Sequence, residues 1–473
     1  MTTLASRPTA APTRARTHAP RPPGRANGRD AAVRTGAGVA LWLSLLLVTY
    51  WWAADGEVQE LAGWSTGLDS AGRLTGLVAS VLLLAQVLLM ARLPMLERAY
   101  GQDRLAGIHR LVGFTSFNLM VAHVVLITWG YAAGELARTP ATLWNLTWNA
   151  PGMLLAVAGT ACLVLVVVTS IKAARSRLRY ESWHLLHLYG YLGVGLALPH
   201  QLWTGQQFTA SPGRSVFWWS AWAVTAGAIL VWRVGRPVWL NLRHQLRVTA
   251  VVDEGPGVWS VHLAGRRLDR LRVEAGQFLS FRFLSGPGWT RAHPYSLSAA
   301  PSGQRLRITV HGAGDGSTAT RSMKTGTRVL IEGPFGRLTH RPRTHRKVAL
   351  IGAGVGTAPL RALADGLAYA PGEAVYLERF TAHPVFSAEI DALARRRGLQ
   401  VIRLAGHRRS PSSWLGDGVP AVSDQDVLRF LVPDIADRDV YVCGPGPWAD
   451  LVIDSLRANG VAPSDIHSET FGW

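Results

Sequence analysis

The chain has 473 residues, of which 48% are hydrophobic and only 17% are charged, and its formal net charge is +19. This length allows two to four domains, and the charged fraction is low for a soluble protein of this size. With only two cysteines, Cys162 and Cys443, the sequence excludes a disulfide framework beyond one pair and any Cys-rich iron–sulfur or zinc site. Most of the 19 tryptophans precede residue 240, so we predict a membrane-embedded half followed by a soluble half.

The first part of the chain separates into a basic tail and a series of apolar runs. Residues 1–35 are rich in Arg, Pro, Ala and Thr without an apolar period, which predicts a disordered basic tail. Each later run is near the roughly 20 residues that a helix needs to cross a bilayer. We therefore predict a six-helix transmembrane domain over residues 36–236, with spans at about 36–54, 72–91, 107–130, 151–171, 183–203 and 215–233.

The distribution of Lys and Arg predicts the orientation of these spans. Basic residues lie in the tail and in every second loop, whereas the alternate loops carry acidic residues and few cations. Because basic loops stay on the cytoplasmic side, we expect both termini in the cytoplasm of a plasma-membrane protein. Much of the positive charge then reports topology, so lipid is the expected partner and nucleic-acid binding is not expected.

After Arg243 the pattern changes to short alternating runs. "LRVTAVVD", "WSVHLAG", "QFLSFRFL" and "RLRITVHG" are separated by Gly and Pro turns. This is typical of antiparallel strands, and we predict a β-barrel domain over residues 243–340. From residue 345 to 473 strands alternate with Gly turns and helices, which indicates an α/β domain with a parallel sheet.

Histidines recur at a matching spacing on two of the predicted spans. His109 and His123 lie 14 positions apart on the third span, and His187 and His200 lie 13 apart on the fifth. At 3.6 residues per turn, each pair occupies one helix face at two levels about 20 Å apart. The two spans run in the same direction, so His109 should face His187 near the inside and His123 should face His200 near the outside. Two facing imidazoles can ligate a haem iron axially, so the spacing predicts two stacked haems.

Two alternatives remain for these histidines. Each residue taken singly is also compatible with a polar group that hydrogen-bonds to a neighbouring helix, although two pairs at matching spacing favour haem. His184 lies one turn before His187 and is a rival ligand. Its spacing to His200 fits the third-span pair less well, so we favour His187 and leave His184 a possible contact with a haem propionate.

Three motifs in the soluble half favour nucleotide cofactors. "TRAHPYSLSAAP" offers aromatic and polar side chains to a flavin, and "GAGDGST" offers backbone N–H groups and Ser317 to a pyrophosphate. "KVALIGAGVGTAPLRAL" places glycines between a strand and a helix, where phosphate binds. Alone, each motif also fits an ordinary Gly turn or strand edge, and Cys443 at a strand end also fits inert packing.

After residue 35 the chain resembles the ferric reductase/NADPH oxidase superfamily. The His spacing, "HPYSLS", "GPFG", "GAGVGTAP" and "CGP…IHSETF" follow the order of that family. The resemblance implies FAD, NADPH or NADH, and two haem b groups held by the four histidines. The positions that match its nucleotide-cofactor sites are His293, Pro294, Tyr295 and Ser296 on the FAD strand; Gly314, Asp315 and Ser317 in the pyrophosphate turn; Gly352, Gly354, Gly356 and Thr357 in the dinucleotide loop; Arg379 near the ribose phosphate; Cys443, Gly444 and Pro445 beside the nicotinamide; and Glu469 and Phe471 in the C-terminal segment.

The implied activity is electron transfer from cytoplasmic NAD(P)H through FAD and two haems to an acceptor on the outer face. The cofactors do this chemistry, so we assign no catalytic acid, base or nucleophile. A ferric chelate is the expected acceptor; dioxygen reduced to superoxide, a docked redox protein and a flavin reductase on an inert anchor are the alternatives. Ile127 stands where the animal oxidases have a further histidine, which favours the ferric chelate.

Arg379 favours NADPH, whereas Arg408 and Arg409 fit either a 2′-phosphate contact or surface charge. The oligomeric state stays open.

Overall fold

The computed structural model describes residues 25–178, 180–286, 288–312, 314–419 and 422–470. The described chain divides into two compact units, one formed by Asp30–Arg236 and the other by the residues from Pro237 onwards together with residues 25–29. We call the first the helical unit and the second the sheet unit. A helical region thus precedes an antiparallel β domain and a parallel α/β domain, which confirms the predicted order of fold types.

The helical unit consists of helices joined by short turns. Its first helix begins at Arg25, so residues 25–35 of the predicted disordered tail are helical, and residues 1–24 lie outside the described residues. The helices are α1 (Arg25–Ala54), α2 (Glu57–Glu60), α3 (Trp64–Leu89), α4 (Pro94–Tyr100), α5 (Gln102–Tyr131), α6 (Thr139–Asn149), α7 (Met153–Ser170), α8 (Lys172–Arg175), α9 (Tyr180–Trp203), α10 (Gln206–Thr209) and α11 (Pro212–Ala228). A π-helical segment, Ile229–Gly235, then leads into α12 (Arg236–His244).

Five helical segments among the described residues are long and apolar enough to cross a membrane. They are Gly28–Ala54, Trp64–Leu89, Gln102–Tyr131, Met153–Ser170 and Pro212–His244. Helix α9 has 24 residues and is not among them; its three histidines reduce its apolar character. The chain is therefore a membrane protein, while the number of six spans stays a prediction.

Glycines allow α7 and α9 to approach closely. A Cβ at Gly159 of α7 would lie 2.7 Å from the carbonyl oxygen of Gly193 in α9, and a Cβ at Gly193 would lie 2.9 Å from that of Gly159. Small residues at such crossings let helix backbones pack against each other in a membrane. The two glycines therefore fix the position of α9, the helix that carries His187 and His200.

The first part of the sheet unit, which we call the antiparallel domain, holds six strands in two three-stranded sheets. Along β3 every second residue is buried, namely Leu279, Phe281 and Phe283, because alternate side chains of a strand point to one face. The sheets have the orders β1-β2-β5 and β4-β3-β6, and their closure into a barrel stays a prediction. The elements are β1 (Arg247–Gly255), β2 (Val258–Ala264), β3 (Phe278–Phe283), β4 (His293–Ser296), β5 (Arg305–His311), α13 (Asp315–Thr318) and β6 (Val329–Phe335).

The second part, which we call the parallel domain, is a five-stranded parallel sheet in the order β11-β10-β7-β8-β9. All residues of β7 after Lys347 are buried, as expected for a strand covered by helices on both faces. The elements are β7 (Lys347–Ala353), α14 (Thr357–Gly366), β8 (Ala374–Phe380), α15 (Ser387–Arg397), β9 (Gln400–Ala405), α16 (Asp424–Leu431), β10 (Arg438–Gly444), α17 (Gly446–Ala458) and β11 (Ile466–Thr470).

Glu274 of the antiparallel domain anchors the segment that leads into β7. Its carboxylate accepts a hydrogen bond from Arg341 Nε at 2.8 Å and lies 3.2 Å from His340 Nδ1. Burial raises the pKa of Glu274, but the hydrogen bonds from His340 and Arg341 outweigh it and lower the pKa to about 2.

The Glu274→Gln variant is expected to unfold at a lower temperature than the native protein at pH 7. A carboxyl whose pKa is lowered in the folded state stabilises the fold at every pH above its ordinary pKa, which is 4.5 for Glu274. The lowered pKa corresponds to about 3 kcal/mol, and this stabilisation is lost as the pH falls from 4.5 towards 2. The difference in unfolding temperature should therefore shrink between pH 5 and pH 3 in a thermal melt. A difference that does not change with pH would contradict the assignment.

Candidate cofactor-binding sites

Two pairs of histidines face each other between α5 and α9. The ring centroids of His109 and His187 are 6.1 Å apart, and those of His123 and His200 are 6.3 Å apart. Metal–nitrogen bonds of about 2 Å on each side of an iron, together with the radius of each imidazole, separate two ring centroids by roughly 6 Å. The structure thus brings the four residues together in the two expected pairs, at the separation that a shared axial metal requires.

Helix α3 holds the two histidines of α5 by their Nδ1 atoms. His109 Nδ1 lies 3.1 Å from the carbonyl oxygen of Gln86, and His123 Nδ1 lies 2.8 Å from that of Gly72. Because a carbonyl oxygen only accepts hydrogen bonds, Nδ1 of each neutral ring is the donor. The lone pair of each ring then resides on Nε2, the arrangement usual for histidines that bind metals.

The histidines of α9 have hydroxyl partners. Thr204 Oγ1 donates to the carbonyl oxygen of His200 at 2.7 Å and lies 2.6 Å from His200 Nδ1, so the ring donates to the hydroxyl. Ser170 Oγ accepts from Trp183 Nε1 at 3.3 Å and lies 3.4 Å from His187 Nδ1. These contacts place the proton of His200 on Nδ1, which leaves the lone pair on Nε2, and they fix the position of the His187 ring.

The supporting role of α3 was not predicted from the sequence. A Cβ at Gly76 would lie 2.6 Å from His123 Nδ1, and a Cβ at Gly72 would lie 2.8 Å from the side chain of Ile127. Two glycines four positions apart on an apolar helix are a known signal for close helix contact. That signal was present in "GRLTG", but it does not reveal which helix makes the contact.

The predicted flavin strand is β4, at the edge of its sheet. The rings of His293 and Tyr295 are nearly parallel, with centroids 6.1 Å apart and planes inclined by 20°. Burial raises the pKa of Tyr295 to about 12, which keeps its hydroxyl neutral. Ser296 Oγ is buried and has no hydrogen-bond partner among the described residues. Such an orphaned hydroxyl is costly unless a ligand completes its bonding, so the strand fits a flavin. Pro294 lies between these residues, opposite Ser280 of β3.

The predicted pyrophosphate turn follows β5. Ser317 Oγ accepts from the Gly314 N–H at 3.0 Å and donates to the Gly314 carbonyl at 2.7 Å, while Asp315 begins α13. A Cβ at Gly316 would lie 2.6 Å from the ring of His293. The turn and β4 are therefore in contact, which brings both halves of the expected flavin site together.

The glycine loop lies between β7 and α14. Chain order reverses here, because β7 has β10 on one side and β8 on the other, and ligands of α/β sheets bind at such points. Gly354 has a φ of 56°, and Thr357 Oγ1 donates to its carbonyl at 2.7 Å. Gly352 lies beside Cys443 in the sheet. The loop thus leads to the N-terminus of α14, which favours a phosphate.

Gly356→Ala is expected to raise the KM for NADPH by about tenfold or more, since small misplacements of a binding loop are costly. A Cβ at Gly356 would collide with the carbonyl oxygen of Cys443, a backbone atom that no side-chain rotation can move away. Steady-state NADPH oxidation with a dye acceptor measures the change. Gly418→Ala is the matched control, because its Cβ would meet only Ala405 O at 3.8 Å; equal KM values for the two variants would contradict the prediction.

The ends of β10 and β11 complete this edge of the sheet. Cys443 is fully buried and pairs with Glu469, and Gly444 pairs with Thr470. Burial and then the charge of Glu469 raise the pKa of the Cys443 thiol, so it stays protonated. A Cβ at Gly336 would lie 2.9 Å from Glu469 Oε1, which places this carboxylate against the antiparallel domain. Pro445 precedes α17, and Phe471 lies outside the described residues.

Arg379 is the last residue but one of β8. Its Nη2 donates to the Gly406 carbonyl at 3.0 Å, and its Nε has no hydrogen-bond partner among the described residues. Burial lowers the pKa of Arg379, and the charge of Arg408 lowers it further. Arg409, in contrast, forms a 2.5 Å ion pair with Asp424. The Nε–H of Arg379 can therefore donate to a bound anion, whereas Arg409 has a structural partner.

No cluster of three or more His, Cys, Asp or Glu side chains able to hold a metal ion together occurs within the described ranges. Each of the two histidine pairs described above supplies only two side chains.

Comparison with known proteins defines the class of each half. Residues 75–198 match the family described as ferric reductase like transmembrane component. The chain is 26% identical over 245 residues to the glycine betaine monooxygenase reductase subunit of Chromohalobacter salexigens, an alignment that covers 50% of this chain and 66% of that protein. It is 30% identical over 241 residues to the ferredoxin reductase component of the 3-ketosteroid-9-alpha-monooxygenase of Mycolicibacterium smegmatis, covering 48% and 65%. The chain thus spans just under two thirds of each relative.

Among solved structures, the flavohem-like FAD/NAD binding domain of nitric oxide dioxygenase from Vibrio cholerae is 25% identical, with a TM-score of 0.39, and the match covers 49% of this chain and 100% of that one. The sequence relatives indicate a membrane oxidoreductase that combines a ferric reductase-like transmembrane region with a module similar to the reductase components of these monooxygenases. This combination matches the fused architecture of the ferric reductase/NADPH oxidase superfamily, which confirms the resemblance found in the sequence.

Proposed function

We propose that this protein carries electrons across the membrane from cytoplasmic NAD(P)H, through FAD and two b-type haems, to a small-molecule acceptor on the outer face. The observation that carries the proposal is the pair of facing histidine couples on α5 and α9, with ring centroids 6.1 and 6.3 Å apart. In this proposal the protein lies in the plasma membrane with six spans and both termini in the cytoplasm.

His109 and His187 would hold the inner haem, and His123 and His200 the outer haem. The Nδ1 contacts with Gln86 and Gly72 support this assignment, since they reserve Nε2 of both α5 histidines for a metal. The position of the His187 ring against His109 supports His187 rather than His184 as the fifth-span ligand.

Tyr295 and Ser296 on β4, with His293 at the strand's start, would hold the flavin, and the turn at Gly314 and Ser317 would hold its pyrophosphate. The neutral Tyr295 ring suits contact with a flavin face, and the unbonded Ser296 hydroxyl can donate to a flavin heteroatom. The contact between Gly316 and His293 supports a single continuous site.

The loop from Gly352 to Thr357 would hold the dinucleotide phosphates, with Cys443 and Glu469 near its nicotinamide end. The Nε–H of Arg379, which has no partner among the described residues, supports a 2′-phosphate, and hence NADPH over NADH. When bound, these groups supply hydride donation, separation of the electron pair and single-electron transport. No residue has to remove a proton from the substrate, which agrees with the protonated state of Cys443.

A ferric chelate is the acceptor that we propose. Ile127 lies one turn beyond His123, and it packs against Gly72, the residue whose carbonyl holds the His123 ring. An apolar side chain at this position provides no proton donor or ligand for dioxygen beside the outer haem. Superoxide production is the alternative, and so is transfer to a docked redox protein.

The test is the absorption spectrum of the purified protein before and after anaerobic addition of NADPH. Sharp low-spin haem bands that increase with NADPH are the expected result. Flavin bleaching without haem bands would instead indicate a flavin reductase on a membrane anchor. A second arm adds ferric citrate or dioxygen to the reduced protein. Rapid haem reoxidation by ferric citrate, with little superoxide from dioxygen, is the expected result. Slow reoxidation by ferric citrate together with abundant superoxide from dioxygen would instead identify an oxidase.

A further inference from the structure

Helix α12 presents an apolar face that the sheet unit leaves uncovered. Val238, Trp239 and Leu242 are 52, 53 and 69% exposed, and their spacing places them on one side of a helix. On the other side Leu240 and His244 are buried. One side of α12 is therefore buried, whereas the other presents three large apolar side chains to its surroundings.

The orientation of α12 is fixed by the antiparallel domain. Asn241 Nδ2 donates to the Ile331 carbonyl at 2.9 Å, and the Ile331 N–H donates to Asn241 Oδ1 at 2.7 Å. This two-point contact replaces a missing strand partner at the edge of β6. Together with burial of Leu240 in the domain core, it prevents the exposed face from rotating inward.

Arginines surround the C-terminal end of α12. Arg243 stacks on Trp239, with its guanidinium carbon 4.9 Å from the ring centroid. Arg266 is held beside the helix end by its N–H, which donates to the His244 carbonyl at 2.7 Å. Arg247 and Arg328 form a backbone bridge next to it.

These arginines are available to an external anion. Arg247, Arg266, Arg267 and Arg328 are exposed. Within the described part of the chain, no ion pair joins any of them or Arg243 to a carboxylate. We define the lipid face as Val238, Trp239 and Leu242 together with these five arginines.

We propose that the lipid face binds the surface of an anionic bilayer, on the side of the membrane that the sheet unit occupies. Apolar side chains flanked by unpaired cations are the pattern of helices that lie in the interface of anionic membranes. Helix α12 is also the end of the candidate span Pro212–His244, so the chain itself brings this face to the bilayer. A protein partner would need acidic groups around an apolar centre, and among the described residues no carboxylate forms an ion pair with these arginines.

Lipid binding would hold the antiparallel domain at the membrane surface through Asn241 and Ile331. The inference rests on insertion of the helical unit in a membrane, and it does not depend on haem, on the acceptor or on NADPH.

The first experiment measures the depth of position 242 in the full-length protein. A spin label is placed at Leu242→Cys in a Cys162→Ser background, in which buried Cys443 does not react, and the protein is reconstituted in nanodiscs containing phosphatidylglycerol. Collisions of the label with oxygen relative to a water-soluble nickel chelate should be several-fold more frequent at position 242 than at Val252→Cys, an exposed apolar position on β1. Equal ratios at the two positions would overturn the proposal.

Further measurements of the same ratio identify what contacts the lipid face. In discs of phosphatidylcholine alone, or in the Arg266→Gln, Arg267→Gln, Arg328→Gln variant, the ratio at 242 should fall towards that at 252. Inorganic phosphate at constant ionic strength should not change the ratio, and a fall would indicate a site for free phosphate instead. An amphipol offers no bilayer surface. A collision ratio at position 242 that is as high in amphipol as in the anionic nanodiscs would mean that protein covers this face, and it would also overturn the proposal.

Discussion

Replacing His123 or His200 by alanine is expected to remove one of two haems and to lower the rate of electron delivery to an external acceptor by more than about 100-fold. Even loss of a residue that only orients a metal ligand costs 10- to 100-fold, and here a ligand itself is lost. Reduction of FAD by NADPH should persist, because the nucleotide-binding residues belong to the sheet unit. The haem-to-flavin ratio and the rate of ferric citrate reduction measure the two effects.

Two controls separate ligation from general damage to the helices. His184→Ala removes a histidine from the same helix and should retain both haems, since His187 faces His109. Thr204→Val keeps His200 but removes the hydroxyl 2.6 Å from its Nδ1, and it should weaken haem retention without abolishing it. Full haem content in both His123→Ala and His200→Ala would exclude these residues as ligands.

Glu389→Ala is expected to destabilise the sheet unit by about 2–4 kcal/mol and to slow flavin reduction by NADPH, because it leaves two buried arginines without their shared partner. Arg307 of β5 donates to Glu389 of α15 at 2.6 and 3.0 Å, and Arg361 of α14 lies 2.8 Å from the same carboxylate. Both arginines are only 9% exposed. This cluster joins the antiparallel and parallel domains, so its loss affects both stability and the relative position of the two nucleotide sites.

The cluster also has a predicted pH dependence. Burial raises the pKa of Glu389, but Arg307 and Arg361 outweigh it and lower the pKa below the ordinary value. Its contribution is therefore complete above that value and is lost as the pH falls through the folded-state pKa. Thermal unfolding and stopped-flow flavin reduction of Glu389→Ala, compared with Asp391→Ala, test the prediction. Asp391 pairs with Arg403 at a more exposed position of the same helix, and its loss should cost at most about 1 kcal/mol; equal effects would contradict a special role for Glu389.

Local patterns explain which features were predictable. The histidine spacing follows from the pitch of an α-helix, and alternation in β3 follows from the pleat of a strand, so both are readable over a few residues. The start of α1 at Arg25 was missed because polar and small residues weaken the apolar signal there. Helix α9 was predicted as a span from the length of its apolar run, but its histidines make it less apolar than the five segments that meet the length and hydropathy expected of a span.

The sequence by itself determined the order of the parts, the two levels of histidines and the positions of the Gly-rich turns, because each depends on the chemistry of neighbouring residues. Only the tertiary structure decided what holds these groups in place. The Gln86 and Gly72 carbonyls that bind the α5 histidines, and the Glu389 carboxylate 82 positions from Arg307, come from other elements of the chain. Backbone carbonyls have no sequence signature, and ion pairs between distant segments depend on how helices and strands pack, so neither can be read from local pattern.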